Sequence, residues 1–224
     1  MTLMSQSVAL RSSLRASLVE AARSMAGLGI NQGSAGNISV REAAAMLITP
    51  SAIGYDVMTP EMVARMPLEG EYGAWEGPKR PSSEWRFHLD IFRARPEIGA
   101  IVHTHAPHAT AIAMTRRDIP PCHYMITRFG GGTVRCASYA LFGTAELSAA
   151  ALAALEGRSA CLLANHGFIA TGATLDAAMA AAVELEALAK QYVLSLSIGG
   201  PVLLTEVEIA AALEQFSTAY TPNE

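Results

Sequence analysis

Cysteine and charge are both scarce in this chain, and each scarcity excludes something. Only three cysteines occur, Cys122, Cys136 and Cys161, an odd number without CxxC spacing. They make neither a disulfide framework nor a thiolate zinc site, so a reducing, cytoplasmic compartment is expected. Charged residues are 16% of the chain, with 16 Lys+Arg against 20 Asp+Glu and a net charge of -4. No broad basic surface is available to neutralise a nucleic-acid backbone, so nucleic acid is not an expected partner. Long apolar runs are missing too: no segment approaches the roughly 18–20 apolar residues of a membrane span. The N-terminus is amphipathic and carries Arg11 and Arg15, but lacks the continuous apolar stretch of an export signal. No membrane association is expected.

What is abundant is apolar content, 51% over 224 residues. A chain of this length buries roughly 70–75% of its unfolded surface in one core, and no repeat, linker or charge block divides it. One globular domain over 1–224 is therefore expected. Alanine is concentrated at 148–157 and 176–190, where its helix propensity and small side chain predict closely packed helices.

Apolar spacing near 3.6 predicts a first helix over 7–28, stopped by Gly27 and Gly29. Short strands are predicted at 38–41 and 45–49, followed by a turn at 50–54 and a weakly patterned stretch at 56–80. A helix begins near Ser83, taken as its cap, and runs through Phe92; a buried strand follows at 98–103. Helices at 106–114, 144–155, 174–197 and 205–216 and strands at 133–137 and 160–163 complete the pattern. This alternation predicts a layered α/β domain.

Chemistry-bearing residues gather at the ends of the predicted strands. His103-Thr104-His105 closes one, Asn165-His166-Gly167 closes another, and Glu84 opens a helix. Imidazoles at i and i+2 lie on one face of a strand, and a third imidazole with a carboxylate completes a nitrogen/oxygen set suited to zinc. The metal hypothesis predicts that Glu84, His103, His105 and His166 converge. An isolated His-x-His pair is more often two hydrogen-bonded imidazoles than two ligands. Glu84 and His88 share a helix face at i,i+4 and can imitate a metal pair; His88 and His108 are read as supporting side chains, and His123 as no ligand.

Three small polar loops suit a phosphate: Gly33-Ser34-Ala35-Gly36-Asn37, Thr49-Pro50-Ser51-Ala52 and Pro81-Ser82-Ser83. Glycine lets amides approach an anion, hydroxyls add donors, and a helix start favours negative charge. Each alone is an ordinary turn, since neither Walker A nor GxGxxG spacing is present. Tyr124, just before Gly130-Gly131-Gly132, offers a phenol able to give a proton to an oxygen. A half-buried loop tyrosine is the plainer alternative.

Together, residues 29–41, 47–50, 81–88, 102–105, 123–126 and 165–167 give the chain a resemblance to the class II aldolase/adducin-head family, and within it to members acting on L-fuculose 1-phosphate. The resemblance implies a single three-layer α/β/α domain with a mostly antiparallel central sheet. It implies zinc, or another divalent cation, held by Glu84, His103, His105 and His166, and a phosphate cradle from Ser34, Gly36, Asn37, Ser51, Ala52, Ser82 and Ser83. It also implies a homotetramer with active sites between subunits, Tyr124 reaching in from a neighbour. The implied reaction is reversible cleavage of a ketose 1-phosphate to dihydroxyacetone phosphate and an aldehyde. Glu84 would move the proton on and off carbon, and Tyr124 would serve the aldehyde oxygen.

Departures mark the substrate side. Ser34 and Ser51 stand where threonine is usual, Ala52 replaces a glycine, Asn165 replaces a common histidine, and Tyr220 aligns ambiguously with a tail tyrosine. Aldolases for 5-deoxyribulose or methylthioribulose 1-phosphate would keep the same groups. The family's epimerase carries Asp where Glu84 stands, and a metal-free adducin-like scaffold does not need four ligands, so both, like the decarboxylases and dehydratases, are lesser alternatives.

Overall fold

The computed structural model describes residues 3–33 and 35–219. The first helix, α1, is Leu3–Gly27; it leads into the hairpin of β1 (Asn37–Glu42) and β2 (Ala45–Ile48), then β3 (Ala64–Pro67). Next come α2 (Trp85–Ala94), β4 (Ala100–Thr104), α3 (Pro107–Met114), β5 (Cys136–Ala137) and α4 (Ala145–Ala154). The chain continues through β6 (Ala160–Leu163), β7 (Gly167–Gly172), α5 (Leu175–Leu196) and α6 (Glu206–Ala219). The strands form a seven-stranded sheet in the order β3-β2-β1-β4-β7-β6-β5. Every neighbouring pair is antiparallel except β5 with β6, which is parallel.

Period-2 alternation sorts the strand side chains between two cores. Val102, Leu162, Phe168 and Ala170 pack with residues of α1, α3 and α5, while Ile101, Leu163 and Ile169 pack with residues of α2 and α4. Helices thus cover both faces, giving the expected α/β/α layers. Alanines pack inward where expected: Ala178, Ala182 and Ala189 of α5 are fully buried. Thr144 and Thr174 cap α4 and α5, their hydroxyls accepting from Leu147 N and Ala177 N, each at 3.2 Å.

Four details differ from the sequence expectations. β7 escaped notice because its run follows directly on the Asn-His-Gly turn, although Gly167 and Gly172 bound it. β3 falls in the weakly patterned stretch and ends on Pro67, which an edge strand tolerates. The strand expected at 133–137 shrinks to Cys136–Ala137, with Val134 bridged singly to Ile119. The helix-capping position before α2 is Glu84 rather than Ser83, and the Glu84 carboxylate makes no cap bond. The Ser82 hydroxyl instead accepts from Glu84 N at 3.3 Å.

Candidate metal centre

Three segments far apart in sequence meet at one end of the sheet. β4 and β7 pair antiparallel with His103 opposite Ile169 and Thr104 opposite Phe168. The end of β4 therefore lies beside the turn that joins β6 to β7. In that turn Asn165 adopts a left-handed conformation (φ 55°), which asparagine tolerates, and His166 N donates to Leu163 O at 3.0 Å. Gly167 is needed there, because a Cβ would collide with Thr104 O and the His105 ring. Glu84, at the start of α2, closes the group.

The four expected ligands converge. One ligand atom from each of Glu84, His103, His105 and His166 lies within 4.8 Å of every other. Glu84 Oε2 is 3.0 Å from His103 Nε2, Glu84 Oε1 is 3.1 Å from His166 Nε2, and the Nε2 atoms of His103 and His105 are 3.2 Å apart. Ligands about 2.1 Å from a tetrahedral ion stand about 3.4 Å apart, so these separations suit a shared cation. His103 is fully buried, and its Nδ1 is 2.9 Å from Phe168 O. A carbonyl only accepts, so Nδ1 carries a proton and Nε2 turns into the cluster. Glu84 Oε1 is buried yet accepts no hydrogen bond among the described residues. Imidazole nitrogens and an orphaned carboxylate oxygen facing one point form a donor set that a divalent cation satisfies.

Electrostatics support this. Burial would raise the Glu84 carboxyl, but the neighbouring His103 and His166 outweigh it and hold the acid below the usual carboxylate range. Burial, reinforced by His103 and His166, lowers His105 to about 4. A cation would meet an ionised carboxylate and an unprotonated His105 at neutral pH.

A cleft of about 350 Å³ opens over the cluster. Glu84, His105 and His166 lie in its lining with Ser83, and Tyr139, Ala140 and Phe142 supply an apolar wall. Arg116 steadies the rim, its Nε donating to Asn165 Oδ1 at 2.8 Å while its guanidinium lies 5.6 Å from the centre of the Tyr139 ring. None of these wall residues stood out in the sequence; the run Tyr139-Ala140-Leu141-Phe142, apolar yet placed before a helix cap, was the available signal.

The phosphate-loop residues are only partly assembled. Segments 49–51 and 80–82 lie side by side, Ser51 N donating to Arg80 O at 3.0 Å and Ser82 N to Thr49 O at 2.9 Å. Ser51 and Ser83 line a neighbouring pocket with Arg80, a cation overlooked in the sequence. Ala52 occupies a left-handed conformation (φ 57°), where glycine would be unstrained. Gly36 is required by a close approach: a Cβ would come within 2.5 Å of His103 O. The Asn37 side chain is buried and turned toward Glu84, its Nδ2 donating to Oε2 at 3.0 Å. Ser34 and Tyr220 lie outside the described residues.

Tyr124 is placed elsewhere. It opens the 3-10 helix Tyr124–Phe129, is 53% exposed, and stacks on Phe216 of α6 with ring centres 6.1 Å apart, away from the lining of its own chain's cleft. Two further histidines are hydrogen-bonded: His123, read as no ligand, accepts at Nδ1 from Met125 N at 3.2 Å, and His108, read as supporting, has its Nδ1 2.6 Å from Glu186 Oε1. Glu186 also accepts from His108 N at 3.0 Å and Ala109 N at 2.9 Å, so a carboxylate of α5 fixes the start of α3 just after His105.

Known proteins are similar to this chain throughout. It is 52% identical over 93% of its length, and 93% of the relative's, to a 5-methylthioribulose-1-phosphate/5-deoxyribulose-1-phosphate aldolase of Rhodospirillum rubrum. It is 44% identical to L-fuculose phosphate aldolase of Escherichia coli K12, over 93% of this chain and 96% of that one. A solved L-fuculose 1-phosphate aldolase superposes with a TM-score of 0.87 at 37% identity, covering 92% of this chain and 96% of the other. The sequence profile described as Class II Aldolase and Adducin N-terminal domain matches residues 16–193. With the fold and the four-ligand cluster in agreement, the chain belongs to that family.

Proposed function

We propose that this chain is a zinc-dependent aldolase. It cleaves a ketose 1-phosphate reversibly at the C3–C4 bond to dihydroxyacetone phosphate and an aldehyde. The chain, 1–224, acts as one domain in the cytoplasm, in a homotetramer with active sites between subunits. The observation that carries this is the convergence of Glu84 with three imidazoles at the floor of an open cleft, one carboxylate oxygen left without a hydrogen bond.

A divalent cation held by Glu84, His103, His105 and His166 supplies a Lewis acid for the two adjacent oxygens that gain charge when the carbon bond breaks. The chain's own groups supply the rest. Glu84, ionised and reaching the cleft, takes a proton from the three-carbon fragment and returns it to carbon. Hydroxyls and amides of Ser34, Gly36, Ser51, Ala52, Ser82 and Ser83 hold the phosphate and exclude water from one side, while the side chain of Asn37, expected among them, is turned to Glu84. Arg80, lining the pocket beside Ser51 and Ser83, adds a positive charge that a dianion favours. Tyr124 gives a proton to the aldehyde oxygen of a neighbouring subunit's substrate. Its exposure and its absence from its own cleft support that assignment.

The apolar wall of Tyr139, Ala140 and Phe142 favours a second reading of the same reaction. An aldehyde with an apolar tail, such as that released from 5-methylthioribulose 1-phosphate, suits this wall better than a hydroxylated one.

Zinc-loaded protein is to be offered L-fuculose 1-phosphate and 5-methylthioribulose 1-phosphate, and dihydroxyacetone phosphate followed through a coupled reductase. Cleavage of at least one substrate, lost on chelation and restored by zinc, is expected. Protein that holds zinc and cleaves neither would overturn the assignment. Tyr124→Phe should lower kcat on the order of 10- to 100-fold with the unfolding midpoint unchanged, because the hydroxyl has no hydrogen-bond partner among the described residues. Unchanged kcat would remove Tyr124 from the reaction.

A further inference from the structure

Ser39, Asn37 and His88 are buried, polar, and outside the lining of the cleft, yet they connect to its floor. Asn37 and Ser39 share one face of β1, about 6.7 Å apart along the strand. Glu84 and His88 stand one turn apart, about 6 Å along α2. The matched spacings let strand and helix meet as a short ladder. Ser39 Oγ is 2.6 Å from His88 Nδ1, His88 Nε2 is 2.5 Å from Asn37 Oδ1, and Asn37 Nδ2 is 3.0 Å from Glu84 Oε2.

The direction of every bond follows from one end. A carboxylate only accepts, so Asn37 presents its NH₂ to Oε2 and its carbonyl oxygen to His88. That oxygen only accepts, so His88 carries its proton on Nε2. Full burial, reinforced by His103, lowers His88 to about 3, so the ring is neutral. Nδ1 is then bare and accepts from the Ser39 hydroxyl. With the proton on Nδ1 instead, a bare Nε2 would face the Asn37 oxygen, the amide would turn over, and its oxygen would oppose the Glu84 carboxylate.

We propose that this one-way chain makes Ser39, His88 and Asn37 positioning residues for Glu84: they hold Oε2, so that Oε1, which would leave a bound cation as substrate replaces it, is the oxygen that accepts a proton from the three-carbon fragment and returns it. The role rests on the aldolase function proposed above. Among the described residues the His88 ring hydrogen-bonds to Ser39 and Asn37 rather than to a candidate ligand; it acts by fixing which way the Asn37 amide points.

Two measurements test this. Nitrogen-15 NMR of the wild-type imidazoles at neutral pH should show His88 as the Nε2–H tautomer; the Nδ1–H tautomer would overturn the proposal. In deuterated water without aldehyde, the zinc-loaded enzyme should exchange hydrogen on dihydroxyacetone phosphate. Ser39→Ala and His88→Leu should slow that exchange on the order of 10- to 100-fold, with zinc content unchanged and the half-saturating concentration of dihydroxyacetone phosphate within about threefold. His88→Gln, whose amide N–H can still donate to Asn37, should regain part of the rate. Exchange at the wild-type rate in Ser39→Ala, or a parallel loss of zinc, would overturn the role. Ser39→Ala, a small deletion, decides the matter should His88→Leu not fold. Wild-type protein that holds zinc but exchanges nothing would remove the aldolase function, while the tautomer would still decide the direction of the chain.

Discussion

Glu84→Gln should reduce turnover by about 10³–10⁴-fold, toward the upper end of what a positioned acid–base group contributes. The substitution keeps the shape of the side chain and removes its basicity. The phosphate loops do not depend on the carboxylate: Ser51 N and Ser82 N bond to Arg80 O and Thr49 O. Inhibition by inorganic phosphate should therefore persist at near the wild-type concentration while cleavage and hydrogen exchange both disappear. An activity within about tenfold of wild type would exclude Glu84 as the base.

His103→Ala should lose the metal itself. The residue is fully buried, its Nδ1–H is committed to Phe168 O, and its ring meets Phe87 edge-on at 5.3 Å. Truncation removes a ligand from the centre of the group and leaves a cavity, with a stability loss of about 2–4 kcal/mol. After dialysis, elemental analysis should find zinc near background and cleavage should be abolished. His103→Gln, which fills more of the space, should regain stability without regaining zinc, separating the two effects. Full zinc and activity in His103→Ala would show that the ligand set is wrong.

Much of this centre was legible in the sequence. The buried strand ending in His103-Thr104-His105 announced its geometry, because alternation puts both rings on one face, and the apolar run at 160–163 predicted a strand leading to His166. Less legible was the reason the groups meet. That depends on β7, whose pairing with β4 brings the hairpin turn beside the strand end. Ser39 was hidden differently, since a polar residue on a strand resembles part of a solvent face, and Asn37 was read as a phosphate-loop residue; here α2 covers both with His88. Tyr124 carried no local signal of its surroundings, since its ring partner Phe216 lies on α6.

The place of β7 in the sheet also constrains the order of assembly. It is the last strand in the chain, yet it sits between β4 and β6. During synthesis β1, β2, β3 and β4 can pair before it emerges, but β6 and β5 have nothing to join them to that half until β7 is complete. Such a late, long-range closure gives a high contact order and slow folding. His166 reaches His103 and His105 only in the same event, so the full four-ligand set exists only in the closed sheet, and a cation that needs all four would draw that last equilibrium toward the native state by mass action.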